Sequence, residues 1–324
     1  MTTITAKDVG ELRKATGAGL MDCKKALQDA EGDFDGAVEI LRKKGQKVAA
    51  KRADRDANEG VVVAYTDGEH GLLLGLGCET DFVAKNDDFI AFANQVAKLA
   101  MEKGATTKED VLALDIDGTP VSERLIEKTG VIGEKIEVSD FQRLTGENVA
   151  SYIHAGGKIG VLVAYKDGGH DEGSQFFRKL AMHIAAMAPS IMHPDEFDEE
   201  FVVKEAEALK GQITVENEDR ARLGKALRNV PEFASRRQLT PEVLAGIEQK
   251  IKDELAAEGK PEKIWDKILP GKLERFIADN TLLDQERCLL SQFFALDDSK
   301  SVEAAIKDFH EDAEVLAFRR IAVG

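Results

Sequence analysis

The sequence predicts an α+β fold in which a short helical segment precedes two similar units of strands and helices. Three observations lead to this prediction. Helical periodicity broken by glycines fills the start of the 324-residue chain. A strand hairpin followed by an apolar helix then occurs twice, and a charged helical stretch interrupts the second of these units. The fold class is therefore α+β with a helical insertion.

Three short helices are predicted in the first 56 residues. Thr5 and Asp8 have the spacing of a capping box, and Gly17-Ala18-Gly19 and Gly32-Asp33 break the helical pattern. Such a small core leaves no room for a catalytic pocket, so the segment is interpreted as an adaptor. The apolar positions at helical spacing are Val9, Leu12 and Thr16, then Cys23, Ala26, Leu27 and Ala30, then Phe34, Ala37, Val38 and Leu41.

Leu20 and Met21, at the start of the second helix, have two interpretations. They begin the buried face of that helix, or they form an exposed apolar contact for another protein. The helical pattern favours the buried face.

Charge is distributed unevenly along the chain. The net charge is −16, whereas the first 56 residues alone are weakly positive. A negative balance argues against nucleic acid as the main partner, because phosphate binding needs clustered positive charge. One basic run could contact phosphate, although a solvated helix face is the favoured interpretation. Its members are Arg42, Lys43, Lys44, Lys47, Lys51, Arg52 and Arg55.

The first α+β unit follows a polar segment at residues 52–58. Residues 61–65 and 72–78 are predicted strands, and Asp67-Gly68 between them indicates an antiparallel hairpin. A helix at 86–103 has one apolar face that should pack on the hairpin. A helix at 121–128 and a strand at 135–143 complete the unit.

The second unit repeats this order. Strands at 149–154 and 158–165 flank Gly156-Gly157, and the helix that follows has the same apolar spacing as the helix at 86–103. Two similar supersecondary units indicate an internal duplication. A helix at 302–309 and a strand at 314–323 are predicted to complete the second copy.

The insertion between these parts, residues 191–291, is charged and helical. One helix opens near Phe201 and another begins at Pro241, and the two are predicted to pair as an antiparallel hairpin. An apolar seam on a projecting hairpin has to be covered, which favours self-association or a partner.

No segment indicates a membrane or a secretory pathway. The longest apolar run, residues 159–165, is far shorter than the ~20 residues of a membrane helix, and the N-terminus lacks a signal-peptide stretch. Cys23, Cys78 and Cys288 contain no CxxC pair, so neither a disulfide framework nor a zinc site is expected. A cytoplasmic location is the expectation.

Motifs for catalysis are weak. The six histidines contain no HExxH, and the glycines form neither a phosphate loop nor a GxGxxG turn. We therefore expect no catalytic residue, no metal, no cofactor and no direct nucleotide binding. An enzyme that uses His154 or His183 with Asp81 would require these groups to meet in a pocket.

One corner of the first unit stands out: Thr80-Asp81-Phe82-Val83, between a strand and a helix. By default Phe82 belongs to the core and Asp81 is a turn residue. If the tip is exposed, the ring can enter an apolar slot on a partner while the carboxylate accepts hydrogen bonds from it.

Several motifs resemble the bacterial elongation factor Ts family over almost the whole chain. They are TGAGLMDCKKAL at residues 16–27, TDFVAKN at 80–86, GVLV at 160–163 and GKPEKI at 259–264. The resemblance implies an N-terminal three-helix domain of ubiquitin-associated type, two related α+β core subdomains and an inserted helical hairpin that dimerises. Expected boundaries are 1–56, 57–143, 144–190 with 292–324, and 191–291.

The resemblance also implies a function. Members release GDP from elongation factor Tu, a translational GTPase, and no covalent chemistry is involved. By this analogy Thr80, Asp81, Phe82 and Val83 contact the GTPase, with Phe82 acting as a wedge near the magnesium site. The further partner-binding positions are Arg13, Leu20, Met21 and Lys24 in the N-terminal domain and His154 in the second subdomain. A competing hypothesis is an adaptor that binds protein or RNA through the basic run and does not need Phe82.

Overall fold

The N-terminal helices form as predicted. The structure is a computed structural model that describes residues 4–324. The helices are α1 (Ala6–Thr16), α2 (Leu20–Asp29) and α3 (Phe34–Arg52). Thr5 and Asp8 close the predicted capping box, and Gly17 ends α1 in the left-handed conformation. A small core joins the three helices through Val9, Leu12, Ala18, Cys23, Ala26, Leu27 and Ala37.

The first α+β unit confirms the predicted order and adds short elements. It comprises β1 (Glu59–Thr66), β2 (His70–Cys78), α4 (Asp81–Ala84), α5 (Asp87–Lys103), α6 (Lys108–Ala113), β3 (Asp115–Ile116), β4 (Thr119–Pro120), α7 (Val121–Ile132) and β5 (Glu137–Thr145). Strands β1, β2 and β5 form an antiparallel sheet in that order. The apolar face of α5 is buried in one cluster with residues of β1 and β2, as expected.

The second unit repeats this topology. It contains β6 (Asn148–His154), β7 (Ile159–Lys166) and α8 (Gly173–Met187), and β10 (Glu314–Ala322) joins its sheet from the end of the chain. The sheet order β6-β7-β10 corresponds to β1-β2-β5, so the predicted duplication is confirmed. Side chains alternate along β1 and β2. Val62 and Leu73 pack against Val149 and Leu162 of the second sheet, whereas Val61 and its alternate neighbours face α5.

The insertion differs from the expected pairing. Its elements are α9 (Glu199–Arg222), α10 (Pro241–Ala257), α11 (Trp265–Asn280) and α12 (Leu282–Arg287). The insertion is followed by β8 (Phe293–Phe294), β9 (Asp297–Ser301) and α13 (Val302–Phe309), the helix predicted at residues 302–309. The prediction that α9 pairs with α10 is wrong: Ile247, Ile251 and Leu255 of α10 pack on α11. Pro270-Gly271 lies inside α11 and hides its helical pattern in the sequence.

The chain separates into two compact units. One consists of the residues up to Ala185 together with Glu314–Gly324, and the other is Ala186–Ala313. Within the first of these two compact units, α3 extends past the three-helix core. Its second half packs against α7 where Gly45 meets Gly130. The N-terminal helices are therefore attached to the first α+β unit in two ways. Helix α3 packs against α7, and the polar segment at residues 52–58 joins them along the chain. In residues 4–324 no helix has both the length and the apolar character needed to span a bilayer.

Candidate functional site

The corner after β2 is a single helical turn anchored on one side. Thr80 is the N-cap of α4, and its hydroxyl accepts a 3.5 Å hydrogen bond from the Val83 N–H. Ala84 is buried and Val83 packs partly against the core of the first α+β unit. The turn therefore has one face in the core and presents the other face outward.

Phe82 lies on the outward face, with 83% of the residue exposed. The default prediction that it belongs to the core is wrong, because Val83 and Ala84 already supply the apolar contacts of this turn. A phenylalanine ring left in water gains nothing for folding. The exposed alternative of the two sequence interpretations is the one that the structure supports.

Asp81 stands beside the ring as a charged group. Its carboxylate accepts a 2.6 Å hydrogen bond from the Lys85 ammonium, one helical turn away. This hydrogen bond lowers the pKa of Asp81 below its ordinary value, and the nearby charge of Lys158 acts in the same direction. Asp81 is thus ionised at neutral pH, and its ion pair is exposed enough to exchange Lys85 for another donor.

Behind the turn, two adjacent residues of the β2 end are tied to two adjacent residues of the α7–β5 loop. Thr80 donates its N–H and its hydroxyl proton to the Glu134 carboxylate, at 3.0 and 2.8 Å. Glu79 accepts the Lys135 N–H at 2.7 Å and also binds Arg52 of α3. We call Glu79, Thr80, Glu134 and Lys135 the carboxylate clasp. The Lys135 N–H and the Arg52 guanidinium lower the pKa of Glu79.

His154 is exposed at the end of β6, where the Tyr152 hydroxyl lies 3.0 Å from its Nδ1. The turn after it rests on β1: the Gly157 carbonyl accepts the Val62 N–H at 2.6 Å. A Cβ on Gly157 would lie 2.6 Å from a methyl group of Val61, so the turn needs glycine there. Lys158, next in the chain, forms an ion pair with Glu59.

These contacts place His154 and the corner toward the same end of β1. Glu59 is the first residue of β1 and lies opposite Cys78, the last residue of β2, in the sheet register. Lys158 links the β6–β7 turn to Glu59, and its charge reaches Asp81. The structure thus brings together two regions that the sequence separates by about seventy residues.

The N-terminal positions Arg13, Leu20, Met21 and Lys24 are all exposed. Leu20 is 53% and Met21 71% exposed, so the favoured prediction that they are core residues is wrong. The buried face of α2 begins at Cys23, and residues 4–324 leave Leu20 and Met21 on its first turn exposed. These are thus exposed apolar side chains, and Lys24 is an exposed cation on the same helix.

The alternative hypothesis of an adaptor that binds protein or RNA through the basic run gains little support. Arg42, Lys43, Lys44 and Arg52 of the basic run pair with carboxylates, as expected of a solvated helix face. Four of the seven cations of the basic run are therefore paired within the chain, which weakens the case for phosphate binding.

An enzyme with His183 is equally poorly supported. His183 is buried in α8, whereas His154 is exposed at the end of β6. Burial raises the pKa of the Cys78 thiol to about 11, which removes it as a thiolate nucleophile. Within the described residues no three His, Cys, Asp or Glu side chains group as a metal site.

Sequence reasoning missed the residues that hold the corner. Glu134 and Arg52 are ordinary charged residues in the sequence, 54 and 27 positions from the groups that they bind. Only the glycine that ends α7 hints that Glu134 follows a sharp turn, since Gly133 has φ +82°.

Comparisons with known proteins agree with the motifs. The family model described as Elongation factor TS matches residues 79–324. The chain is 69% identical to elongation factor Ts of Rhodopirellula baltica over 100% of both chains. It is 49% identical to elongation factor Ts of Flavobacterium johnsoniae, again over 100% of both, and 43% identical to that of Campylobacter curvus over 99% of this chain and 94% of the relative. The chain therefore belongs to the elongation factor Ts family of translation elongation factors.

Proposed function

We propose that the chain is a guanine nucleotide exchange factor that binds elongation factor Tu and promotes release of its GDP for reloading with GTP. Membership of the elongation factor Ts family supports this proposal. The observation that carries it is the exposure of Phe82, 83% accessible on a turn that the clasp ties to the core. Aromatic side chains are enriched at protein interfaces, where a few anchor residues carry most of the binding energy.

Phe82 is proposed to act as a wedge. Its ring enters an apolar slot on the GTPase near the helices that support the magnesium site. Asp81 leaves Lys85 and accepts N–H groups of the partner in charge-assisted hydrogen bonds. Thr80 and Val83 complete the contact with the GTPase and also hold the turn in place. A displaced helix in the GTPase weakens both the magnesium and the nucleotide contacts.

Exchange then follows from differential affinity. A protein that binds the nucleotide-free GTPase more tightly than the GDP-bound form must, by linkage, weaken GDP binding by the ratio of these two affinities. No covalent bond is made or broken. The proposal therefore needs no catalytic residue, cofactor, metal or nucleotide site in this chain, and does not make the chain an enzyme.

Further contacts are proposed on either side of the wedge. Arg13, Leu20, Met21 and Lys24 form the N-terminal contact, and His154 contributes from the second subdomain. These contacts supply affinity that does not depend on the wedge. Because its proposed partner works in translation, we place the chain in the cytoplasm, with neither membrane nor nucleic acid as a direct partner.

The four segments predicted from the sequence are proposed as domains, with boundaries at 1–56, 57–143, 144–190 with 292–324, and 191–291. We also propose that the insertion dimerises. An open groove of 730 Å³ along α10 and α11 has Ile247, Ile251 and Phe276 in its lining, and charged side chains surround them. A second copy seated in this groove would cover the half-buried Phe276.

Release of a fluorescent GDP analogue from elongation factor Tu tests the exchange proposal. The wild-type chain should accelerate release, and Phe82→Ala should lower the acceleration by roughly thirtyfold, as for a binding hot spot of about 2 kcal/mol. The melting temperature should stay unchanged, because an exposed ring loses few native contacts when truncated.

Leu223→Ala is a matched control, because Leu223 is also an apolar residue with 68% exposure but lies in the insertion. It should keep the wild-type acceleration. A Phe82→Ala variant that releases GDP at the wild-type rate would show that the ring is not a wedge. No acceleration by the wild type would refute the exchange function itself.

A further inference from the structure

We infer that Glu134 is a positioning residue for nucleotide exchange: its carboxylate holds Thr80 and thereby the helical turn that presents Phe82. The inference rests on the proposed function and extends it to a group on a different loop, 54 residues from Thr80. Glu134 acts through Thr80 and α4, so its contribution is the orientation of the wedge.

Both carboxylate oxygens of Glu134 are used at the corner. Oε2 accepts the Thr80 N–H at 3.0 Å and Oε1 accepts the Thr80 hydroxyl proton at 2.8 Å. A hydroxyl has a single proton, so donation to Glu134 leaves the oxygen lone pairs to face the Val83 N–H, the N-cap bond of α4. Glu134 thereby fixes both the backbone and the side chain of the capping residue.

The other half of the carboxylate clasp supports the same loop. Glu79 accepts the Lys135 N–H at 2.7 Å. The corner therefore donates hydrogen bonds to a carboxylate of the α7–β5 loop, and the loop donates one to a carboxylate of the corner. Arg52 adds two hydrogen bonds to Glu79, at 2.7 and 2.8 Å, from the C-terminal end of α3. Charge-assisted bonds of this length are the strong ones in proteins. The α7–β5 loop is therefore held against the corner independently of Phe82.

The turn depends on this support because it is too short to be stable alone. Helix α4 has four residues, and a single turn fixes several backbone dihedrals for about one hydrogen bond. Phe82 itself is exposed and provides little anchoring. Without Glu134 the turn samples other conformations, and only the fraction that presents the ring correctly can act on the partner.

The test uses Glu134→Ala and the nearly isosteric Glu134→Gln, which keeps one acceptor oxygen. Glu127→Ala is the matched control, since Glu127 lies on α7 and pairs with Arg124 at 3.0 Å, away from the clasp. GDP release from the partner GTPase is measured over a range of chain concentrations. These curves give the maximal rate and the half-saturating concentration for each variant.

Glu134→Ala should lower the maximal rate by roughly tenfold, the value of a hydrogen bond to a charged group. The half-saturating concentration should change by less than about twofold, since the other contacts bind the partner whether or not the turn is correctly oriented. Glu134→Gln should fall between Glu134→Ala and the wild type, and Glu127→Ala should match the wild type. In a Phe82→Ala background, the further change Glu134→Ala should have a much smaller effect than in the wild type, because only the Asp81 contact then depends on the orientation of the turn.

The last comparison separates positioning from a general loss of structure. A structural defect would lower activity by the same factor in the Phe82→Ala background as in the wild type, and that result would overturn the inference, as would a normal maximal rate for Glu134→Ala. If the wild type accelerates release and Phe82→Ala does not, but Glu134→Ala behaves as wild type, only the inference fails. If the wild type itself is inactive, the proposed function fails and the inference with it.

Discussion

Gly130 of α7 lies so close to Gly45 of α3 that a Cβ atom on Gly130 would be 2.4 Å from the Gly45 Cα. A Cβ atom on Gly130 would meet only backbone atoms of α3, so no side chain fits there. The absence of a side chain at Gly130 lets the two helices approach closely, and α3 then reaches the corner, where Arg52 binds Glu79. This contact connects the N-terminal helices to the turn that carries Phe82.

Gly130→Ala should therefore destabilise the protein. The added methyl group must push α3 from α7, and overpacking of this kind costs about 1–3 kcal/mol, partly offset by the better helix propensity of alanine. Gly10→Ala is the control: Gly10 lies in α1 with no atom within 4 Å of a Cβ built there. Urea unfolding of both variants measures the difference. Equal stability would show that the helices can separate without loss.

Asp81 and Lys85 should have opposite effects on exchange. Asp81→Ala removes the acceptor proposed to bind the partner and should slow GDP release. Lys85→Ala removes only the internal competitor, so release should stay normal or become faster. Both variants should unfold like the wild type, because the ion pair is exposed. Slower release by Lys85→Ala would mean that the pair itself is needed.

The double variant Asp81→Ala/Phe82→Ala gives a second measurement at this site. Both residues are proposed to act at one contact, so their effects on GDP release should be less than additive. Strict additivity of the two free-energy changes would indicate that the residues act at separate places on the partner.

Asp284 should make stability depend on pH. Its side chain is fully buried in the insertion unit, and burial raises the pKa of this carboxyl above its ordinary value. The folded chain then holds the proton at pH values where the unfolded chain has lost it. The contribution of Asp284 to stability is therefore present below the ordinary pKa and is lost as pH rises through the raised one.

Asp284→Asn should remove this contribution. Compared with the wild type, the free energy of unfolding of the variant should fall less between about pH 4 and about pH 7, a range that starts near the ordinary pKa of aspartate. Glu207→Gln, at an exposed position of α9, should leave the wild-type pH profile unchanged. Parallel profiles for Asp284→Asn and the wild type would contradict the argument.

The three cysteines should resist thiol reagents in the folded protein. All are buried, and burial raises the pKa of Cys78 to about 11 and that of Cys288 as well. The reactive thiolate of Cys78 and Cys288 is therefore scarce near about pH 8, where an exposed cysteine would be partly ionised. Mass spectrometry after labelling should find little modification until denaturant is added. Rapid labelling of Cys78 in the native protein would show that the corner opens.

Local sequence patterns determined most of the secondary structure outside the insertion, and the duplication. The capping box at Thr5, the Asp67-Gly68 hairpin and the apolar face of α5 all act over a few residues, so neighbouring positions suffice to predict them. The motif TDFVAKN at residues 80–86 also indicated the family without any knowledge of the fold.

Tertiary structure alone decided which surfaces are covered. Leu20 and Phe82 have large apolar side chains of the kind that is usually buried. Their exposure depends on whether a distant element packs over them. The same applies to α10, which pairs with α11, and to Glu134, which reaches Thr80 across 54 residues. Packing partners and long-range hydrogen bonds are set by how the whole chain folds, and no local pattern encodes them.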